Sequence, residues 1–451
     1  MKENNPHILG TEKVGKLLLE YSIPAIIGMT LTSLYNIIDS VFIGHGVGAM
    51  AISGLAISFP LMNLLVAFCT LVGVGGATIS SIRLGQKDTD GAEKVLGNVT
   101  VLCVINSIFY GGITLLFLDR ILFFFGASHD TLPYARDFMQ IILIGSPVTY
   151  VMIGLNNIMR ATGYPRKAML SSSMLTVGCN IILAPVFIFW LGWGIRGAAT
   201  ATILSQFAGM IWVLSHFMQE KSYIRFKKGI FKLRKRIVEN IFSIGMSPFL
   251  MNVCASAIVI IFNKSLLLYG GDLAIGAYGI LNRLLMLFVM VIMGLTMGMQ
   301  PIVGYNHGAH KFGRVKQTLK YCMIAGGCIT SLGFAFSELF PNLVVNMFTD
   351  DKELTALART GLQIGVLMFP FVGIQIVISS FFQSIGKAKI SIFLSLSRQL
   401  LYLLPCLLLL PHWWGLNGIW LSMPVSDLLA FITACLMLAH HIKKLNKITE
   451  V

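Results

Sequence analysis

Three polar residues sit where a polar residue has to be accounted for. Asp39 interrupts the apolar stretch "SLYNIIDSVFIG", Asn180 lies in "CNIILAP" and Thr202 in "GIRGAATATILSQ". A charged side chain at bilayer depth costs roughly 2.5–3.5 kcal/mol on insertion scales, so it is rarely kept for packing alone. A carboxylate, an amide oxygen and a hydroxyl together can hold a proton or coordinate a small cation, and burial favours the neutral form of a carboxyl group, which a proton carrier needs. At about 1.5 Å per residue, Asp39 is about 27 Å beyond Tyr21, Asn180 about 18 Å beyond Ala168, and Thr202 about 9 Å beyond Arg196. All three are expected between mid-membrane and the outer face, as a cation- or proton-binding set. Tyr35, Ala184 and Gln206 share helix faces with Asp39, Asn180 and Thr202 at i, i+4. For Asn180 and Thr202, plain hydrogen bonding between helices is an equal reading.

The second half of the chain offers a different set. Asn263 stands, with one residue of slip, at the repeat position of Asp39 and is followed by Lys264, and Arg283 lies in the eighth apolar segment. Arg398 and Asp427 are expected at similar depth in the last two segments, where an ion pair between them reads best as structural. Gln206 takes the place of Asp427 in the first half. His307 and His310 fall in the basic loop "NHGAHKFGR" with no acid or thiol beside them, and read as solvated. The eight cysteines lie in apolar segments without ligand spacing and read as small hydrophobes. No metal set, phosphate loop or nucleophile elbow is present, so no catalytic residue is assigned and an enzyme is not expected.

The elements that must position these residues follow from composition. Of 451 residues, 56% are hydrophobic and 12% charged, against about 25% charged in soluble domains. Twelve apolar segments of about 20 residues or more, centred near 33, 66, 106, 147, 179, 208, 255, 288, 328, 371, 399 and 427, each suffice for a hydrocarbon core of roughly 30 Å. The fold class is therefore an all-α integral membrane protein. The first segment carries Asp39 and no small-residue cleavage site, so it reads as a retained span. The net charge of +15 is not spread evenly: the great majority of the 34 Lys and Arg fall in alternate connections. That bias places both termini on the cytoplasmic side. The run "KKGIFKLRKR", 227–236, then reads as a surface segment facing anionic lipid rather than a nucleic-acid patch.

Shifting the chain by 223 residues superposes it on itself. Gly75 falls on Gly298, Gly85 on Gly308, Pro147 on Pro370 and Gly163 on Gly386; with a two-residue slip, Gly194 meets Gly415. Each copy holds six segments, an even number, so both enter the membrane from the same face as a parallel repeat. The expected organisation is an N-terminal six-helix lobe (1–219), a basic cytoplasmic linker (220–239) and a C-terminal six-helix lobe (240–451), which suits alternating access to a central site.

The motifs "SIPAIIGMTLTSLYNIIDSVFIG", "GVGGATISSIRLGQKD", "RATGYPRKAM", "CNIILAP", "AIGAYGILNR" and "GMQPIVGYNHGA" span essentially the whole chain. Taken together the chain resembles the multidrug and toxic compound extrusion family in its DinF-like branch. The resemblance implies twelve helices in two lobes in a bacterial or archaeal inner membrane, with antiport of organic cations or amphipathic drugs against H+ or Na+. It also implies that Asp39, Asn180 and Thr202 match cation-site positions and that Tyr35 and Asn157, with Gln206 beside them, border the substrate chamber. Relatives usually carry an aspartate before the proline of the fifth span, where this chain has Ala184 before Pro185; that weakens the sodium option. Expected partners are a small amphipathic or cationic substrate and the lipid bilayer, with no nucleic acid, in a monomer needing no cofactor beyond its coupling ion. The alternatives are a flippase or exporter of an endogenous lipid-linked molecule or metabolite, and a non-transporting receptor or scaffold.

Overall fold

A long apolar run in a bilayer has to satisfy every backbone N–H and C=O internally, which leaves the helix as the only open-ended solution. The computed structural model describes residues 6–346 and 352–449, except the side chains of residues 6, 33, 35–37, 40, 41, 44, 49, 50, 272, 344 and 444–449. The first half comprises α1 (Val14–Gly46), α2 (Ala49–Gly85), α3 (Thr89–Leu116), short α4 (Leu118–Phe124), α5 (Leu132–Ile144), α6 (Ser146–Ala161), short α7 (Pro165–Met169), α8 (Thr176–Pro185) and α9 (Gly194–Met218). The second comprises α10 (Lys235–Gly308), α11 (Phe312–Leu339), short α12 (Pro341–Asn346), α13 (Lys352–Gly365), α14 (Phe369–Ser384), α15 (Ala388–Leu396) and α16 (Leu404–Thr449).

Among the described residues, nine helices are long and apolar enough to cross a bilayer, and two bent pairs raise the number to eleven. One of the nine, Ala388–Lys443, is 56 residues long, about 84 Å at 1.5 Å per residue and more than two crossings. It breaks at Gly415, whose φ of 53° no side-chain-bearing residue adopts readily. With that break, every apolar segment of the sequence has its helix.

The repeat is visible in the backbone. The bent pairs α5–α6 and α13–α14 turn by 55° and 54°, beside the matched prolines Pro147 and Pro370 in the first turns of α6 and α14. Gly48 and Gly271 both have positive φ, as do Gly194 and Gly415. So do Lys87 and His310, the two non-glycine residues in that region among those described, which are also 223 apart.

The two halves meet along α1, α2 and α10. A Cβ on Gly75 would run into the carbonyl of Ile241, and one on Gly298 into Ser22; Gly85 abuts Tyr305 and Gly308 abuts Ile82 in the same way. Small residues allow backbones to approach this closely. Gln300 adds a hydrogen bond across the seam to the Thr78 hydroxyl, 2.6 Å. These approaches lie within about 21 Å, or 14 residues, of the basic ends of α2 and α10. The opposite face carries Arg136–Asp119 (3.3 Å) and Arg196–Asp137 (2.8 Å) ion pairs and the exposed Trp190, Trp193, Trp413 and Trp414, an interfacial aromatic belt.

The basic connection between α9 and α10 is docked rather than lying loose on the surface. Ile224 and Ile230 are buried, Lys227 pairs with the buried Glu93 at 2.6 Å, and the Asn98 amide donates to the Lys232 carbonyl and accepts from the Arg234 N–H. In the other half, Asn306 and Lys311 hold the N-terminal 3-10 turn Pro6–Gly10 through the carbonyls of Leu9 and Gly10, each at 2.8 Å.

Overpacking a filled seam costs about 1–3 kcal/mol or more. Gly75→Leu is therefore expected to lower the melting temperature of the purified protein by several degrees. It should also reduce disulfide cross-linking of a Thr78→Cys/Gln300→Cys pair. Gly112→Leu, where nothing lies within 4 Å, should change neither reading.

Candidate cation site

Asp39 is 8% exposed, and its Oδ1 is buried without a hydrogen-bond partner among the described residues. The geometry of α1 against the fifth span explains its depth. A Cβ on Gly28 would stand 2.8 Å from the Ser173 hydroxyl, and Gly46 packs on Ile188 and Phe189; the Phe42 and Phe189 rings meet edge to face at 6.5 Å. The two spans therefore run side by side in parallel. Interpolation between these contacts sets Asp39 level with a point about nine residues past Ser173, between Asn180 and Ala184.

Asn180 and Thr202, both buried, are joined directly: the Asn180 amide donates to the Thr202 hydroxyl at 3.2 Å, and that hydroxyl donates to the Ala198 carbonyl at 3.1 Å. The fifth and sixth spans can come this close because Gly197 packs on the Phe187 backbone and Gly209 on Thr176. Turns of π-helix at Leu170–Leu175 and Val186–Trp190 bracket α8, an irregularity frequent at functional sites. Ala184 is fully buried, so no second carboxylate reaches this level from α8.

The remaining assignments spread along the same half. Gln206, one turn from Thr202, accepts from the Thr149 hydroxyl. Thr149 was not singled out by spacing, because its partner lies on a different span. Asn157 is about 12 Å further along α6, or two turns, with its amide on the Ile153 carbonyl at 3.0 Å and beside Gly73. The side chain of Tyr35 lies outside the described residues. The donor set fits a proton or a small cation: Thr202 is engaged on both sides, and Asp39 Oδ1 is an acceptor without a hydrogen-bond partner among the described residues.

In the second half, Arg398 Nε and Asp427 Oδ1 form the expected ion pair at 2.8 Å. Lys264 and Arg283 are exposed and Asn263 is half-buried. His310 is exposed, as its loop setting predicts, but His307 is half-buried within the end of α10, its Nδ1 enclosed and its ring 5.9 Å from Phe312. The solvated reading fails for His307 because α10 runs one turn further than the basic loop suggests.

Removing one partner of the Arg398–Asp427 pair leaves a charge without compensation. Asp427→Asn is expected to destabilise by roughly 2 kcal/mol, below the about 3–5 kcal/mol of a fully buried pair, because the Arg398 side chain is 34% exposed. The double variant Arg398→Met/Asp427→Leu should recover most of the loss in thermal unfolding.

Comparison with known proteins matches this architecture. The MatE family model matches twice, over residues 24–186 and 248–408, together most of the chain. The multidrug export protein MepA of Staphylococcus haemolyticus (strain JCSC1435) is 28% identical over 439 residues, covering 97% of this chain and 95% of the relative. Among solved structures, the MATE multidrug transporter DinF-BH is 34% identical, covers 96% of both chains and superposes with a TM-score of 0.88. A MATE structure in the bent conformation shares the fold at a TM-score of 0.93, with 24% identity and full coverage of both chains. The sequence resemblance, the bent and repeated spans and these matches agree: the chain belongs to the MatE, or multidrug and toxic compound extrusion, family, whose members are transporters rather than enzymes.

Proposed function

We propose that the chain is a secondary antiporter that exports organic cations or amphipathic drugs in exchange for protons, by alternating access between two lobes, 1–219 and 240–451. The observation that carries this reading is the buried Asp39 carboxyl, with one oxygen uncommitted, level with the Asn180–Thr202 pair. A proton taken up on that oxygen removes the charge, and releasing it restores an anion able to attract a cationic substrate. The relatives named multidrug export proteins support the substrate class. The clustering of Lys and Arg on one face supports an orientation with both termini in the cytoplasm of a bacterial or archaeal cell.

Protons are favoured over sodium. A sodium ion prefers several hard oxygen ligands, and a proton requires one carboxyl oxygen. Here Ala184 supplies no ligand, and the Thr202 hydroxyl is already bonded to Asn180 and Ala198.

In proteoliposomes under an imposed proton gradient, Asp39→Asn is expected to lower efflux of a fluorescent cation at least tenfold while leaving expression and folding intact. Normal pumping by Asp39→Asn would remove Asp39 as the carrier. Ala184→Asp should add a sodium-driven component to the parent's proton-driven flux. Flux of a lipid-linked anion in place of cations would favour the flippase reading, and no gradient-dependent flux of any solute would favour a receptor.

A further inference from the structure

On the basic face, away from Asp39, a pocket of about 340 Å³ opens where the two halves of the chain meet. Its wall takes Arg83 from the end of α2, Asp88 and Lys94 from the start of α3, and Arg234, Lys235 and Arg236 from the start of α10. We propose that this pocket holds the phosphodiester of an anionic lipid headgroup, which bridges α3 of one half to α10 of the other.

Five cations share this space with one carboxylate, and that carboxylate is committed: Asp88 accepts from Arg83 at 2.6 Å and from the Gly91 N–H at 2.8 Å. Lys235 is 3.9 Å from the exposed Glu239. Lys94, Arg234 and Arg236 have no ion pair among the described residues. Like charges gathered at close range repel, so the arrangement is stabilised by an anion held between them. Guanidinium forks match phosphate oxygens in particular.

The repeat supplies an internal control. A second pocket of about 450 Å³ occupies the equivalent seam, with Lys13, Lys16 and Arg314 in its wall. There Arg314 and Lys16 are used by the chain itself. The Arg314 guanidinium bonds the carbonyls of Leu9 and Glu12 and the Asn306 side chain, and Lys16 pairs with Glu12 at 3.3 Å. In the first pocket Arg83 is taken by Asp88, but among the described residues no ion pair takes up Lys94, Arg234 or Arg236. The pocket opens where α2 ends and α3 and α10 begin, at headgroup level. A headgroup is therefore the nearest source of phosphate, given that this face is the cytoplasmic one, as proposed above, where anionic lipid is exposed.

The test uses the full chain in zwitterionic mixed micelles, with lipid retention read by native mass spectrometry and stability by melting temperature, so it depends on neither orientation nor transport. Phosphatidylglycerol is expected to be retained and to raise the melting temperature, whereas phosphatidylcholine and inorganic phosphate do not. Lys94→Gln/Arg234→Gln/Arg236→Gln should weaken retention at least tenfold, and Lys13→Gln/Lys16→Gln should leave it unchanged. Should the triple variant not fold, Lys94→Gln alone is expected to weaken retention measurably. Equal retention of phosphatidylcholine, unchanged retention in the Lys94 variants, or equal stabilisation by inorganic phosphate would each overturn the proposal, the last by assigning the pocket to free phosphate.

Discussion

One oxygen of Asp39, enclosed and without a hydrogen-bond partner among the described residues, constrains the rest of this molecule. A buried acceptor left unsatisfied costs about 1–3 kcal/mol, and more if charged. In the proton exchange proposed above, such a group has to be enclosed and still have its charge neutralised at some point in the cycle. At its level stand the fifth and sixth spans, drawn close by Gly197 and Gly209 and joined by the Asn180–Thr202 hydrogen bond.

The seam between the halves is placed so that it does not interfere with this group. Backbone-to-backbone contacts at Gly75, Gly85, Gly298 and Gly308 occupy the part of the membrane nearest the basic face, whereas Asp39 is about 37 Å along α1 from Val14. The joints that would flex are matched in pairs: the 55° and 54° bends, and the positive-φ glycines Gly48 with Gly271 and Gly194 with Gly415. Two equivalent halves held at one face and jointed at equivalent positions can tilt as units, which is how parallel-repeat transporters expose a site to each side. The halves differ where chemistry differs. The Arg398–Asp427 pair neutralises itself within its own half, while Asp39 has no cation beside it in the described structure.

Much of this was legible in the sequence, because membrane crossing and repetition leave periodic, additive signals. The twelve apolar segments each correspond to helix, and Pro147 and Pro370 already stood at matched positions before their bends were visible. Asp39, Asn180, Thr202, Arg398 and Asp427 stand out because a polar residue in an apolar run is rare. What sequence could not supply was partnership. Nothing in "GVGGATISS" says that Gly75 faces Ile241, nothing in the basic linker says that Asn98 will tie down its backbone, and Thr149 reads as an ordinary threonine until Gln206 is found against it. Interpolated depth likewise brings Asp39 and Asn180 to one level without revealing that α1 and the fifth span are adjacent and parallel.

Proton-driven exchange through Asp39 requires a change of protonation at one carboxyl group during the cycle. Infrared difference spectroscopy of carboxyl-labelled protein, recorded between alkaline and acidic conditions and again on addition of a transported cation, observes that group directly. A protonated-carboxyl band should grow on acidification, and the component of it that disappears when the cation binds should be missing in Asp39→Asn. A cation-responsive component that persists in Asp39→Asn, or the lack of any such component in the parent, would contradict proton carriage by Asp39.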